Sequence, residues 1–189
     1  YDDSTGAIAA RLWWLLRWLG HRAVAVLDGD WRAWTRERRP QTTVAPSIAS
    51  TTFVPRPDSR ALVDAGALLR SMPTGGTVLI DARSEERFRG DIEPFDKVPG
   101  HVPGAVNLPF EDNLQPNGRF LAPAELRAQY DGLLQGRGPG AVVHMCGSGV
   151  TACHNLLAME HAGLAGSRLY VGSWSEWITD PTRPIATGA

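Results

Sequence analysis

The sequence predicts an α/β fold in which a parallel sheet is covered by helices on both faces, and three observations carry that prediction. Short buried runs, Thr77 to Asp81 and Ala141 to Met145, alternate with longer helical patterns, and strands separated by helices pair in parallel. Gly and Pro clusters fall between these runs and mark the connections. The pattern Gly-x-Trp-x-x-Trp occurs twice, at 29–34 and 172–177, an offset of 143 residues. Each copy follows the same succession of a loop, an apolar helix ending at a glycine (Gly20, Gly163) and a short strand (Ala23 to Leu27, Arg168 to Val171), so two homologous units are expected.

Residues 1–36 read as the C-terminal portion of the first unit. Its opening half, set back by the same offset, falls before Tyr1. The chain is therefore expected to be a fragment or one piece of a cleaved protein, with a missing N-terminal half-domain that packs on residues 1–36. Residues 37–58 carry Pro40, Pro46, Pro55 and Pro57 among Thr and Ser and read as an extended linker. The second unit spans 59–180, and 181–189 form a tail. Within it, Asp58 or Ser59 caps a helix expected to run through Arg70. The strand Thr77 to Asp81 ends in a carboxylate, and a helical turn follows at Ser84 to Phe88. Gly100 to Gly104 makes a turn before a short strand at Ala105 to Asn107. Pro123 opens a helix that runs to Leu134, and Gly136 to Gly140 breaks it. The strand Ala141 to Met145 leads into Cys146, a helix covers Val150 to Ala162, and a strand enters Gly172.

Composition excludes several classes. Of 189 residues, 43% are apolar and 21% charged, with a net charge of −1, which is ordinary globular usage and offers no broad basic field for nucleic acid. The most apolar run, Leu12 to Leu16 between Arg11 and Arg17, is far short of the roughly 20 residues that span a bilayer, so no membrane segment is expected. No charged-then-apolar leader opens the chain. The two cysteines, Cys146 and Cys153, form neither a C-x-x-C pair nor a zinc ligand set and point to a reducing, cytoplasmic compartment.

The chemistry concentrates at Cys146. In parallel α/β sheets ligands bind beyond the carboxyl ends of the strands, and Cys146-Gly147-Ser148-Gly149-Val150-Thr151-Ala152 places a thiol at that position, then two glycines, then a helix start. Such a loop can curl so that successive N–H groups point inward and make an anion cradle. A thiol held there ionises more easily and becomes a good nucleophile at neutral pH.

These residues, together with Asp81-Ala-Arg83, Arg87-Phe88, Gly100-His101-x-Pro-Gly104 and Gly172-Ser-Trp-Ser-Glu-Trp177, resemble the two-domain rhodanese and mercaptopyruvate sulfurtransferases over nearly the whole chain. The resemblance implies a rhodanese-like five-stranded parallel sheet flanked by helices, an inactive first domain and a catalytic second. It implies that Cys146 takes the sulfane sulfur of a small anionic donor, 3-mercaptopyruvate or thiosulfate, as a persulfide. Amides of Gly147, Gly149, Val150 and Thr151 would hold that persulfide, and a thiol, cyanide or thioredoxin acceptor would remove the sulfur, with no metal or cofactor. Arg87 matches a family arginine that holds the donor's anionic end; its competing role is an ion pair with Glu85, Glu86 or Glu93. The uncharged Gly147-Ser148 pair is of the mercaptopyruvate type, in which Ser148 helps protonate the leaving enolate. The family's second arginine after a Glu-Pro pair is absent, since Phe95 follows Glu93-Pro94 and Lys97 is the nearest cation.

The remaining candidates read as structural. Asp81 orients the loop or an arginine, His144 is a core histidine on the same strand face as Cys146, and His101 braces its turn. His154 and His161 lie on the helix, no histidine cluster suggests a metal, and Cys153 is a small apolar residue two turns along. The tryptophans read as core and interface packing rather than stacking platforms for nucleic acid. Tyr1-Asp2-Asp3 stands where Cys146 does in the second unit, with acids in place of the thiol. A cysteine phosphatase or arsenate reductase needs an arginine six residues after its cysteine, where this chain has Ala152. A sulfur-relay or non-catalytic binding module is the remaining alternative.

Overall fold

A computed structural model describes residues 1–188. Five parallel strands form one sheet in the order β1-β5-β4-β2-β3, where β1 is Leu62–Val63, β2 Val78–Asp81, β3 Val106–Asn107, β4 Val142–Met145 and β5 Arg168–Tyr170. Every residue of β2 and β4 is buried. Their unbroken apolar runs reflect this, because both faces of a central parallel strand are covered. The helices are α1 (Ala7–Trp18), α2 (Asp30–Arg36), α3 (Ala65–Ser71), α4 (Glu85–Arg89), α5 (Pro123–Leu134), α6 (Ala152–His161) and α7 (Ser173–Trp177). Leu126, Tyr130 and Leu134 of α5 pack with Ala158 and Met159 of α6 against Val78, Ile80 and Val142 on one face of the sheet. Leu68 of α3 and Trp174 and Trp177 of α7 pack with Leu79, Val143 and Met145 on the other.

The expected helix from Asp58 or Ser59 through Arg70 is broken in two. Asp58 caps only a 3-10 turn, accepting the Arg60 N–H at 3.0 Å; the chain then extends as β1, and Asp64 starts α3 by accepting the Ala67 N–H at 2.7 Å. A two-residue edge strand is too short to show alternation, so only the second cap separated it from the helix in the sequence. The expected strand Ala23 to Leu27 is absent as well. These residues pair with no strand among those described, although the same distance from its helix brings β5 into the sheet in the second unit. Residues 37–58 have no regular structure, and residues 37–56 are all exposed. The tail turns back on the second unit, where Ala186 pairs with His101 and Gly188 N–H donates to Arg89 O at 2.8 Å. Residue 189 lies outside the described residues. No helix among the described residues is long and apolar enough to cross a membrane.

Helix α1 lies against α6, with Ala10, Trp13 and Trp14 sharing a core with Cys153 and Leu156. The junction is tied by an Arg17–Glu160 ion pair at 2.9 Å and by Arg11 Nη1, which donates to Gly149 O at 3.2 Å. The first unit thus reaches the loop that follows β4.

Candidate active site

Cys146 leaves the end of β4 and is only 2% exposed. The Gly149 N–H donates to its Sγ at 3.1 Å. Two contacts from α7 fix the loop's outer side: the Trp174 N–H donates to Cys146 O at 3.0 Å and the Ser175 N–H to Gly147 O at 2.9 Å. Ser173, held at φ 53°, accepts the Cys146 N–H at 3.2 Å. With its carbonyls tied outward, the loop keeps the N–H groups of Gly147, Ser148, Val150 and Thr151 without an acceptor among the described residues. Ser148 is exposed at the mouth.

Gly149 is required here for two separate reasons. Its φ of 77° is in the left-handed region, and a Cβ would stand 2.5 Å from Val171 O, a backbone atom that cannot swing away. Gly149→Ala is expected to cost about 1–3 kcal/mol in urea unfolding and to displace the one amide that touches Sγ. A variant as stable as the parent would show that the loop can move off Val171.

Beside the loop lies a buried run of charges. Arg83 is clasped by Asp81 (Nη2 to Oδ2, 2.7 Å), also meets Glu93 at 3.2 Å, and donates to Gly100 O at 2.8 Å. Asp81 therefore orients an arginine, as expected of a carboxylate at a strand end. Glu93 pairs in turn with Arg87 at 2.7 Å, and Asp96 faces the same guanidinium at 3.5 Å. Burial works against the charge on Glu93, but Arg87 and the N–H groups of Phe95 and Asp96 outweigh it and hold the carboxyl below its ordinary value. Arg87 sits next to the cysteine loop: a Cβ on Gly147 would lie 3.3 Å from its Nη2 and 3.5 Å from its Nη1. Of the three acids weighed as its partners, only Glu93 pairs with it, and Asp96 joins from the same loop; Glu85 is taken by Arg89.

The first unit repeats the loop with two changes, an acid for the thiol and one added residue. The Trp31 N–H donates to Asp2 O at 2.9 Å just as Trp174 does to Cys146 O, so Asp2 occupies the cysteine's place in a loop one residue longer. Asp30, like Ser173, adopts a left-handed φ, of 57°. The Asp2 carboxylate accepts four N–H groups: Ser4 (3.0 Å) and Gly6 (2.9 Å) on Oδ1, Ile8 (2.9 Å) and Ala9 (2.7 Å) on Oδ2. Burial raises its pKa, but these bonds prevail and hold it below the usual carboxylate value. A depressed folded pKa gives stability that is present at neutral pH and lost as pH falls through the folded value, below about 4. Asp2→Asn should therefore cost about 1–2 kcal/mol at pH 7 and progressively less on acidification, measured by urea unfolding at both ends of that range. A penalty equal at both would exclude the carboxylate as its source.

Three of the histidines take structural places. Burial pushes His144 down to about 3 and leaves its Nε2 beside Met159 Sδ at 3.2 Å, which suits a neutral core ring. Burial lowers His154 to about 4; its ring stacks on Phe120 and its Nε2 contacts Thr5 O at 3.2 Å. His101 braces its turn through Nδ1 and Phe88 O at 2.8 Å. Cys153 is fully buried and pushed up to about 12, chiefly by desolvation. The sequence reading passed over Asp96, Ser173 and Ser175. The two serines lie inside the repeated Gly-x-Trp-x-x-Trp motif, which was their only signal; nothing in the sequence marked Asp96.

Fold and loop together define an α/β protein that presents a cysteine within main-chain donors at the end of its central strand. The rhodanese-like domain family matches residues 64–180. The chain belongs to the rhodanese family. It is 51% identical over 189 residues to the probable 3-mercaptopyruvate sulfurtransferase of Pseudomonas aeruginosa, covering all of this chain and 66% of that protein. It is 35% identical over 181 residues to human 3-mercaptopyruvate sulfurtransferase, covering 94% of this chain and 61% of the relative. Among solved structures, 3-mercaptopyruvate sulfurtransferase from Leishmania major matches with a TM-score of 0.77 at 33% identity, over 97% of this chain and 51% of that one. An EanB variant bound to ergothioneine shares the fold, with a TM-score of 0.84 at 21% identity over 99% of this chain and 47% of its own.

Proposed function

We propose that this chain carries the catalytic unit of a sulfurtransferase that moves a sulfane sulfur from 3-mercaptopyruvate or thiosulfate, through a persulfide on Cys146, to a thiol or cyanide. The Cys146 thiolate attacks the donor's outer sulfur. A new S–S bond forms as the donor's C–S bond (mercaptopyruvate) or S–S bond (thiosulfate) breaks, and the electron pair leaves on the enolate of pyruvate or on sulfite. Ser148 at the mouth would relay to the enolate the proton that the donor's thiol leaves on the new persulfide, and so end as the hydroxyl it began as. Arg87 holds the donor's anionic end, and Gly147, Gly149, Val150 and Thr151 offer their N–H groups to the charged sulfur. An acceptor thiolate or cyanide then attacks the outer sulfur and restores the Cys146 thiolate.

The observation that carries this reading is the filled loop of the first unit. Asp2 Oδ1 takes the Gly6 N–H as Cys146 Sγ takes that of Gly149. Asp2 Oδ2 takes the N–H groups of Ile8 and Ala9, whose counterparts are Thr151 and Ala152. One loop holds both oxygens of a carboxylate; the other engages a single sulfur, and the N–H groups of Thr151 and Ala152 have no acceptor among the described residues, which supports their serving a second sulfur. Incubation with each donor should add one sulfur by intact mass, and cyanide should remove it as thiocyanate. No added sulfur from either donor would leave a binding module instead.

The same repeat supports a partner for residues 1–36. Ile8 and Leu12 are each 58% exposed on α1, whereas their counterparts Thr151 and Asn155 are half-buried and buried, and Ala23 to Leu27 has no strand to pair with among the described residues. A half-domain that brings its own sheet would cover both. Both cysteines are free, which suits a reducing, cytoplasmic setting.

A further inference from the structure

Arg11 belongs to the first unit yet touches the loop that carries the cysteine. Its Nη1 donates to Gly149 O at 3.2 Å and lies 3.7 Å from Cys153 Sγ, and its guanidinium covers the Trp14 ring at 5.3 Å. It pairs with no carboxylate among the described residues, so the loop carbonyl takes the cation directly. The contact is one half of an exchange between the units. His154 stands 143 residues after Arg11, at the matching turn of α6, and its Nε2 meets Thr5 O in the first unit's loop at 3.2 Å. Each helix thus reaches across to a carbonyl of the other unit's loop. The two side chains differ in charge: burial lowers His154 to about 4 and leaves a neutral ring at the loop that Asp2 fills, whereas the cysteine loop receives a guanidinium.

A cation on Gly149 O acts through the peptide unit it belongs to. In a trans peptide the N–H points opposite to the C=O, so fixing Gly149 O turns the Val150 N–H away from α1. That N–H has no acceptor among the described residues. The Cys153 thiol also donates to Gly149 O, at 3.4 Å, and the two donors together hold the peptide plane. The positive charge polarises the peptide and strengthens its N–H as a donor.

We propose that Arg11 is a positioning residue for sulfur transfer: through Gly149 O it sets the Val150 N–H that receives the negative charge of the outer sulfur. This rests on the sulfur-transfer reading above. Arg87 stands at Gly147 and Arg11 at Gly149, so the donor's anionic end and the loop amide are served by different arginines. The effect belongs to the step in which charge builds on the bound sulfur, and not to donor binding.

The test is steady-state transfer to cyanide from 3-mercaptopyruvate and from thiosulfate, using the full chain and its Arg11→Met, Arg11→Lys and Glu160→Gln variants. Arg11→Met should lower kcat and kcat/KM together by roughly 10-fold with both donors while KM holds, the pattern of an interaction made only during reaction. Arg11→Lys keeps the charge and should recover most of that loss. Glu160→Gln breaks the Arg17 pair at the same α1–α6 junction without touching the loop, and its kinetics should stay near the parent's. An unchanged kcat in Arg11→Met, a rise in KM alone, no recovery by Lys, or an equal loss in Glu160→Gln overturns the role. Urea unfolding of each variant, with Arg11→Gln in place of an Arg11→Met chain that does not fold, keeps lost transfer apart from lost structure. A parent chain that accepts sulfur from neither donor overturns the sulfur-transfer reading itself, a result separate from any effect at Arg11.

Discussion

Cys146→Ser should abolish sulfur uptake from every donor while leaving the fold intact. The hydroxyl is close in size to the thiol and can accept the Gly149 N–H that now meets Sγ, so unfolding free energy should stay within about 1 kcal/mol of the parent. An alcohol is far less acidic than a thiol, and the loop gains no comparable nucleophile. The measurement is intact mass after donor treatment, with thiocyanate release as the catalytic readout. Sulfur retained by the variant would move the chemistry to Cys153, which the packing opposes: that thiol is fully buried and pushed up to about 12.

Arg83→Leu should be the most destabilising single change outside the cysteine loop. The side chains of Asp81, Arg83 and Glu93 are 0%, 1% and 3% exposed, and Arg83 joins the two acids. Removing it strands Asp81 without its charge partner, which typically costs about 3–5 kcal/mol. Equilibrium urea unfolding at neutral pH reads the loss. A loss below about 1 kcal/mol at neutral pH would show that the pair with Asp81 is dispensable. Activity should fall beyond what unfolding explains, because Glu93 positions Arg87 and would lose one of its two arginines.

The sequence was informative where a local rule had a single outcome. Pro123 at a helix start and the continuous runs of β2 and β4 located their elements closely, and the two glycines after Cys146 located the loop that binds its sulfur. It was uninformative where the outcome depends on distant chain. Ala23 to Leu27 has the composition of a strand, but a strand exists only with a neighbour, and none of the described residues provides one. The edge strand β1 owes its two residues to pairing with Leu169 and Tyr170, more than a hundred positions away. The charge cluster followed the same division: Asp81 and Arg83 are two residues apart and readable, whereas Asp96 reaches Arg87 only through the course of the intervening loop.

The Asp2 loop has a consequence for how the two halves of the molecule divide their work. An anion that is part of the chain cannot depart, so this copy of the loop is permanently loaded and its donors are never vacant. That makes the loop a fastener for α1. Because α1 rests on α6, and α6 begins where the cysteine loop ends, the Asp2 loop gives the Cys146 loop a fixed footing, an anvil it is held against.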